Sequence, residues 1–239
     1  MKTFPKVSCM CVTFGRTEVL DECVYSFLQQ DYPGEKEMII LNDYGSLELK
    51  GEFPNVRIIN EKTRYASLGE KRNACIEQCT GELISIWDDD DVFLPNRLTS
   101  AVKRIGIKPY ILLNKHVYYS DEIRLIPYGV KAQALFYKSL WLEIGGYPAI
   151  TNGEDIKFEN EIRAKGKFSL AEIPDEEVAY IYRWRLTNSY HTSSFKDEDS
   201  HLGTKEHVMR TMDVENYEIK PHWKEDYIGL VKNLIQSQQ

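Results

Sequence analysis

Four short, almost continuously apolar runs constrain this chain most: "KVSCMCVTF" (6–14), "EMIIL" (37–41), "NVRIIN" (55–60) and "ELISIW" (82–87). Apolar without alternation and too short for helices, they have the pattern of strands covered on both faces of a sheet. Helical segments separate them. Leu20, Cys23, Val24, Phe27 and Leu28 recur at i, i+3, i+4, i+7 and i+8, with Thr17 placed to cap the start and Pro33-Gly34 to stop the chain. Leu68, Cys75, Ile76 and Cys79 line one face of a second helix, in which Ser67 and Glu70 have capping-box spacing and Gly81 ends the run. Strands alternating with helices imply right-handed crossovers and an open, largely parallel α/β sheet.

The pattern changes after Pro95, which suits the first turn of a helix in "PNRLTSAVKRI". "YILLN", "HVYYS", "IRLIPYG" and "QALFY", between 110 and 137, are short and aromatic, and predict hairpins or antiparallel edge strands. "SLWLEIGG" and "GEDIKFENEIRAKG" predict helices, the second amphipathic through Ile156 and Ile162 with Gly166 as its stop. "KFSLAEI" and "EVAYIYRW" predict strands, and "KEDYIGLVKNLI" a terminal helix with Tyr227, Leu230, Val231 and Leu234 on one side.

A net charge of −7 argues against nucleic-acid binding through a general basic surface. Lys103, Arg104, Lys108 and Lys115 give modest local basic charge. Cys9, Cys11, Cys23, Cys75 and Cys79 are odd in number and lack metal-ligand spacing, which predicts buried thiols in a reducing compartment. With no run long enough to span a membrane and no cleavage signature, the expected location is cytoplasmic. P-loop, GxGxxG, GxSxG and HExxH motifs are all missing.

Open α/β sheets bind ligands outside the carboxyl ends of their strands. That rule gathers "TFGR" (13–16), "NDYGS" (42–46) and "DDDD" (88–91) on one edge. Adjacent carboxylates repel, so Asp88 to Asp91 need water, a cation or hydrogen-bond donors; the choice lies between a solvated turn and a metal site. Asp88 and Asp90 are oxygen donors suited to Mg2+ or Mn2+, which commonly bridge protein carboxylates to a diphosphate. Asp43 can accept from a base or ribose, and Arg16 and Arg72 can reach phosphates. Glu154 and Asp155 open a helix, where they either cap it or provide a general base. His191 can complete a mixed oxygen and nitrogen metal site.

In order and spacing, "CVTFGR", "QQDYPGEKEMIILNDYGS", "GEKRNACIEQCTGELISIWDDDDVFLP", "IGGYP", "GEDIKFENEIRAKG" and "YRW" resemble the family 2 glycosyltransferases of the GT-A fold. The resemblance covers about residues 7–190 and is most specific from Gly69 to Pro95 followed by Gly153-Glu154-Asp155. It implies a single domain over 1–239: a Rossmann-like nucleotide-sugar-binding half with a mixed, mainly parallel sheet (about 1–100), a smaller acceptor half (about 101–215) and a C-terminal helix (about 216–239). By the same resemblance, Thr13 and Arg16 contact the nucleotide, Asp43 reads the base, and Arg72 lies near the diphosphate. Asp88 and Asp90 match the DxD motif, with Asp90 the direct metal ligand; Asp155 falls on the catalytic base with Glu154 beside it, and His191 on a further metal ligand. Three positions depart from the family pattern: the usual proline and asparagine of the first loop are replaced, giving "VTFGR", and Asn42 replaces the first acid of the usual "DDGS" turn.

The implied activity is metal-dependent, inverting transfer from a nucleoside-diphosphate sugar, a UDP-sugar by preference, to an acceptor hydroxyl of a glycan or glycoconjugate. A hydroxymethylated DNA base is an alternative acceptor and the only role left for nucleic acid. Nucleotidyl transfer to a sugar phosphate and a non-catalytic sugar-nucleotide or glycan-binding module are the rival readings. Tyr118, Tyr119, Trp141, Tyr147, Trp184 and Tyr190 are either sugar-stacking platforms or core residues. Oligomeric state stays open.

Overall fold

The computed structural model describes residues 4–106, 108–184 and 215–238. In chain order the elements are β1 (Val7–Thr13), α1 (Thr17–Leu28), β2 (Lys36–Asn42), β3 (Glu48–Lys50), β4 (Val56–Asn60), α2 (Leu68–Gln78), β5 (Leu83–Ile86), β6 (Val92–Phe93), α3 (Arg97–Val102), β7 (Tyr110–Leu113), β8 (His116–Tyr119) and β9 (Ile123–Ile126). They continue with β10 (Leu135–Tyr137), α4 (Lys138–Ile144), α5 (Glu154–Ala164), β11 (Phe168–Ala171), β12 (Tyr180–Arg183), β13 (Asn216–Glu218) and α6 (Tyr227–Gln236). The central sheet runs β11-β7-β10-β5-β1-β2-β4. β1 pairs in parallel with both β2 and β5, and β2 with β4. A second sheet runs β6-β12-β8-β9, and β3 pairs with β13.

Alternation along the strands sorts the core into two layers. Val7, Cys9, Cys11, Met38 and Ile40 face α1 and α6 through Leu20, Cys23, Val24, Phe27, Tyr227 and Val231. Met10, Val12, Ile39, Leu41, Ile84 and Ile86 face α2, α4 and α5 through Cys75, Ile76, Leu140, Trp141, Phe158 and Ile162. Both faces of β1, β2 and β5 are covered, which is why their sequences are apolar without alternation; β4, expected to be covered likewise, lies at the sheet edge and is only half-buried. All five cysteines are buried and unbridged. No helix among the described residues is long and apolar enough to cross a membrane.

Several local expectations need correction. Thr17 does not cap α1: Arg16 occupies the N-cap without a side-chain cap hydrogen bond, because its guanidinium is engaged elsewhere. α3 starts at Arg97, two residues after Pro95, and the side chain of its N-cap Asn96 donates to Glu177 O (3.2 Å) rather than capping the helix. β10 is antiparallel as expected, but it is an interior strand between β5 and β7, not an edge. In α5 the buried apolar residues are Phe158 and Ile162, while Ile156 is 49% exposed. The capping box of α2 holds: Ser67 Oγ accepts from Glu70 N (3.2 Å) and donates to Glu70 Oε2 (2.8 Å).

Candidate functional site

Strand register determines which side chains meet. β1 and β2 end together, Thr13 opposite Asn42, so residues 14–16 and Asp43 leave the sheet side by side. β5 stops at Ile86, opposite Met10, so Asp88 to Asp91 turn back alongside the end of β1. Trp87 and Phe93, stacked at 3.9 Å, close the base of this acidic turn, and Trp87 Nε1 donates to Cys23 O (3.3 Å).

The four carboxylates have different surroundings. Asp89 and Asp91 are fully buried. Asp89 accepts two hydrogen bonds from Arg16, from Nε (3.1 Å) and Nη2. Asp91 accepts from the Tyr180 hydroxyl and from Arg183 N (2.9 Å). Burial raises both carboxyl groups; Arg16 opposes the shift at Asp89, whereas at Asp91 the neighbouring carboxylates add to it. Asp90 accepts from Arg16 Nη1 (2.8 Å). Asp88 keeps 23% of its side chain exposed and stands 3.6 Å from Arg72 Nη2. Hydrogen-bond donors therefore compensate most of the turn's charge, through Arg16, Arg183 and Tyr180.

Helix α2 contributes three consecutive side chains. Lys71, buried, pairs with Asp43 and donates to Thr13 O (2.6 Å), tying β1 to β2. Burial pushes the Lys71 ammonium down and Asp43 opposes it. Asp43 also accepts from Tyr65 N (3.1 Å). Arg72 lies 3.6 Å from Asp88 and 3.3 Å from Glu154, with its guanidinium 5.7 Å from the Tyr147 ring centre. Burial lowers its pKa, but Asp88, Tyr147, Glu154 and Asp155 together raise it. Asn73 clamps the 146–153 segment through Tyr147 O (2.8 Å) and Tyr147 N (2.8 Å), and also accepts from Trp141 Nε1 of α4 (2.9 Å). The same segment approaches Gly69 so closely that a Cβ there would lie 1.8 Å from Pro148 O. Gly153, at φ +76°, then turns the chain into α5 and brings Glu154 and Asp155 to Arg72.

The two α5 carboxylates differ as sharply. Glu154 is buried, and burial raises its carboxyl against the opposing pull of Arg72. Asp155 is half-buried; its Oδ1 accepts from Ile156 N (2.7 Å). Asn42, the departure in the second loop, is structural: its Nδ2 donates to Leu47 O (2.8 Å) and Asn60 Oδ1 (3.1 Å), which an aspartate cannot do.

The sequence-derived residues Thr13, Arg16, Asp43, Arg72, Asp88, Asp90, Glu154 and Asp155 thus converge on one edge. His191 and Tyr190 lie outside the described residues. Lys71, Glu22 and Arg183 were not anticipated. Lys71 had a signal, since it falls in register with Leu68 and Cys75 on the apolar face, where a lysine must find a carboxylate. Glu22 and Arg183 form a buried pair (2.6 Å) joining α1 to β12, and Glu22 also accepts from the Tyr227 hydroxyl (2.8 Å). Of the aromatic candidates, Tyr119, Trp141 and Tyr147 are buried, while Tyr118 and Trp184 are half-buried. Arg104, Lys108 and Lys115 are engaged by Glu177, Gly166 O and Asp175, which weakens a basic groove there.

The family model "Glycosyl transferase family 2" matches residues 8–159. A Campylobacter jejuni protein named GalNAc(5)-diNAcBac-PP-undecaprenol beta-1,3-glucosyltransferase is 27% identical over 108 residues, 42% of this chain and 34% of that protein. The chain aligns with 34 to 54% of the length of the curated relatives it matches. Among solved structures, S. aureus TarS 1–349 in complex with UDP-GlcNAc superposes with a TM-score of 0.63 at 18% identity, covering 88% of this chain and 66% of that one. The mannosyltransferase PcManGT from Pyrobaculum calidifontis, in complex with GDP-Man and Mn2+, gives 0.55 at 17%, covering 74% and 56%. These likenesses give the fold, GT-A.

Proposed function

Because the chain belongs to glycosyl transferase family 2, we propose that it moves a sugar from a nucleoside-diphosphate sugar, by preference a UDP-sugar, to a hydroxyl of a glycan or glycoconjugate, with inversion at the anomeric carbon. One observation carries this reading: a single guanidinium, Arg72, with 12% of its side chain exposed, is surrounded by Asp88 of the acidic turn and by Glu154 and Asp155 at the start of α5. The groups expected at the leaving diphosphate and at the attacking hydroxyl thus share one crevice.

The donor set fits a hard divalent cation. Asp88 and Asp90 offer oxygen ligands, and Mg2+ or Mn2+ held by one or two carboxylates plus diphosphate oxygens needs no larger protein cage. Among the described residues no group of three His, Cys, Asp or Glu side chains forms such a cage. When bound, the cation supplies positive charge to the diphosphate as its bond to C1 breaks. Arg72 adds a second, fixed positive charge on the same side. Asp155 takes the proton of the acceptor hydroxyl as that oxygen bonds to C1 and the C1–O bond to the diphosphate breaks, its electron pair leaving with the nucleotide. Glu154 is the positioning residue that holds Arg72.

Asp43, fixed by Lys71 and Tyr65 N, retains lone pairs for the imide N–H of uracil. The UDP-GlcNAc complex of TarS supports that base. The undecaprenol-linked oligosaccharide in the name of the C. jejuni relative supports a glycoconjugate acceptor. The test is nucleotide release from a panel of UDP-, GDP-, CMP- and dTDP-sugars with Mn2+ or Mg2+, in wild type and Asp90→Ala. Metal-dependent release from one donor, lost in the variant, is expected; failure of every donor to bind or turn over would leave a non-catalytic module.

A further inference from the structure

We propose that Arg16 is a resident counter-cation that keeps the acidic turn closed to a divalent ion until the donor diphosphate arrives. The inference rests on the metal-dependent reading above. Arg16 lies in the loop directly after β1, and its three nitrogens are all committed to the turn: Nε and Nη2 to Asp89, and Nη1 to Asp90 Oδ2 at 2.8 Å. Asp89 is fully buried, so its bidentate pair fixes the guanidinium plane in place. The arginine retains 22% of its side-chain exposure, so it is not sealed in the core.

A cation entering the free protein must therefore give up part of its hydration, displace Nη1 from Asp90 and settle beside a fixed positive charge. A diphosphate would lessen the last two obstacles, because its negative charge offsets the repulsion between the cations and offers the guanidinium an alternative partner. Metal and nucleotide are then coupled, each strengthening the other by the same factor. Asp89 acts as the anchor of the device and is not itself a metal ligand, which accounts for a carboxylate placed between Asp88 and Asp90 yet wholly enclosed.

The test is Mn2+ titration of the nucleotide-free protein, followed by the electron paramagnetic resonance of free Mn2+, without and with UDP. Wild type is compared with Arg16→Gln and with Arg16→Gln/Asp89→Asn. The double variant removes the buried pair together and avoids leaving Asp89 as an uncompensated charge, so folding, checked by circular dichroism, is preserved. Wild type should bind Mn2+ weakly alone and about tenfold more tightly with UDP. Both variants should bind Mn2+ about tenfold more tightly than wild type without nucleotide, and gain less from UDP. Unchanged or weaker nucleotide-free binding in the folded double variant, with UDP-assisted binding in wild type intact, would overturn the role of Arg16 and leave the metal-dependent reading standing. Absence of Mn2+ binding in all three proteins, with UDP and with GDP, would overturn both.

Discussion

The acidic turn at 88–91 and the start of α5 at 154–155 pose the same problem and solve it alike. Each places carboxylates side by side, and in each the structure divides them by burial. Asp89, Asp90, Asp91 and Glu154 are enclosed: the first two accept from Arg16, Asp91 from Tyr180 and Arg183 N, and Glu154 pairs with Arg72. Asp88 and Asp155 keep part of their surface at the crevice. The turn is braced by a second layer of buried charge, whereas α5 depends on a positive-φ glycine and one shared guanidinium. A run of acids is therefore not a run of equivalent groups: most members are enclosed and tied to cations and hydroxyls, and one at each place keeps part of its surface open.

If burial sorts these groups, changes to the enclosed network should appear first as lost stability. The largest effect is expected for Arg183→Ala, which leaves Glu22 enclosed without its cation and Asp90 O without its side-chain donor, and should lower the unfolding free energy by about 3–5 kcal/mol in urea denaturation. Lys71→Met comes next, at about 2–3 kcal/mol, because Asp43 keeps the Tyr65 N–H after losing its ammonium; donor affinity by calorimetry should fall with it. Glu154→Gln should change stability by within about 1 kcal/mol at neutral pH, since the amide resembles the protonated form that burial favours. The sign follows from linkage: a raised folded pKa gives stability that is present below the unfolded value and fades as pH rises through the folded one. The variant's unfolding curve should lack that decline.

Glu37, at the opposite edge of the sheet, is the contrasting case. Burial pushes its carboxyl up, but Ser8, Thr80 and Lys6 outweigh this and hold it at about 2. Its contribution is present above its ordinary value of 4.5 and disappears as pH falls toward 2. The stability difference between wild type and Glu37→Gln should therefore shrink across that window, in thermal melts at successive pH values, and activity at neutral pH should be unaffected.

What the sequence disclosed follows from the range of the interactions. The strands of the parallel core and the capping box of α2 depend on neighbours within a few residues, and they are legible. β3 and β6 are three and two residues long and exist only because β13 and β12 pair with them from far along the chain. No local pattern announces them. The strand-end rule brought Thr13, Asp43 and Asp88 together, since it needs only the order of strands. It could not separate Asp89 from Asp90, because that depends on Arg16 crossing 73 and 74 residues of sequence to reach them. Thr17 looked like a cap for the same reason, its neighbour's long-range contact being invisible. Glu22 carries no local signal of its pairing with Arg183, 161 residues away.

The division between structural and chemical acids is tested most directly by measuring donor affinity and the rate of sugar transfer in Asp155→Asn beside Glu154→Gln. The account predicts that Asp155→Asn binds the donor as wild type does and transfers about 10²–10⁴-fold more slowly. It also predicts that Glu154→Gln retains the greater part of the transfer rate. Equal losses of binding and transfer in Asp155→Asn, or a transfer defect confined to Glu154→Gln, would contradict it.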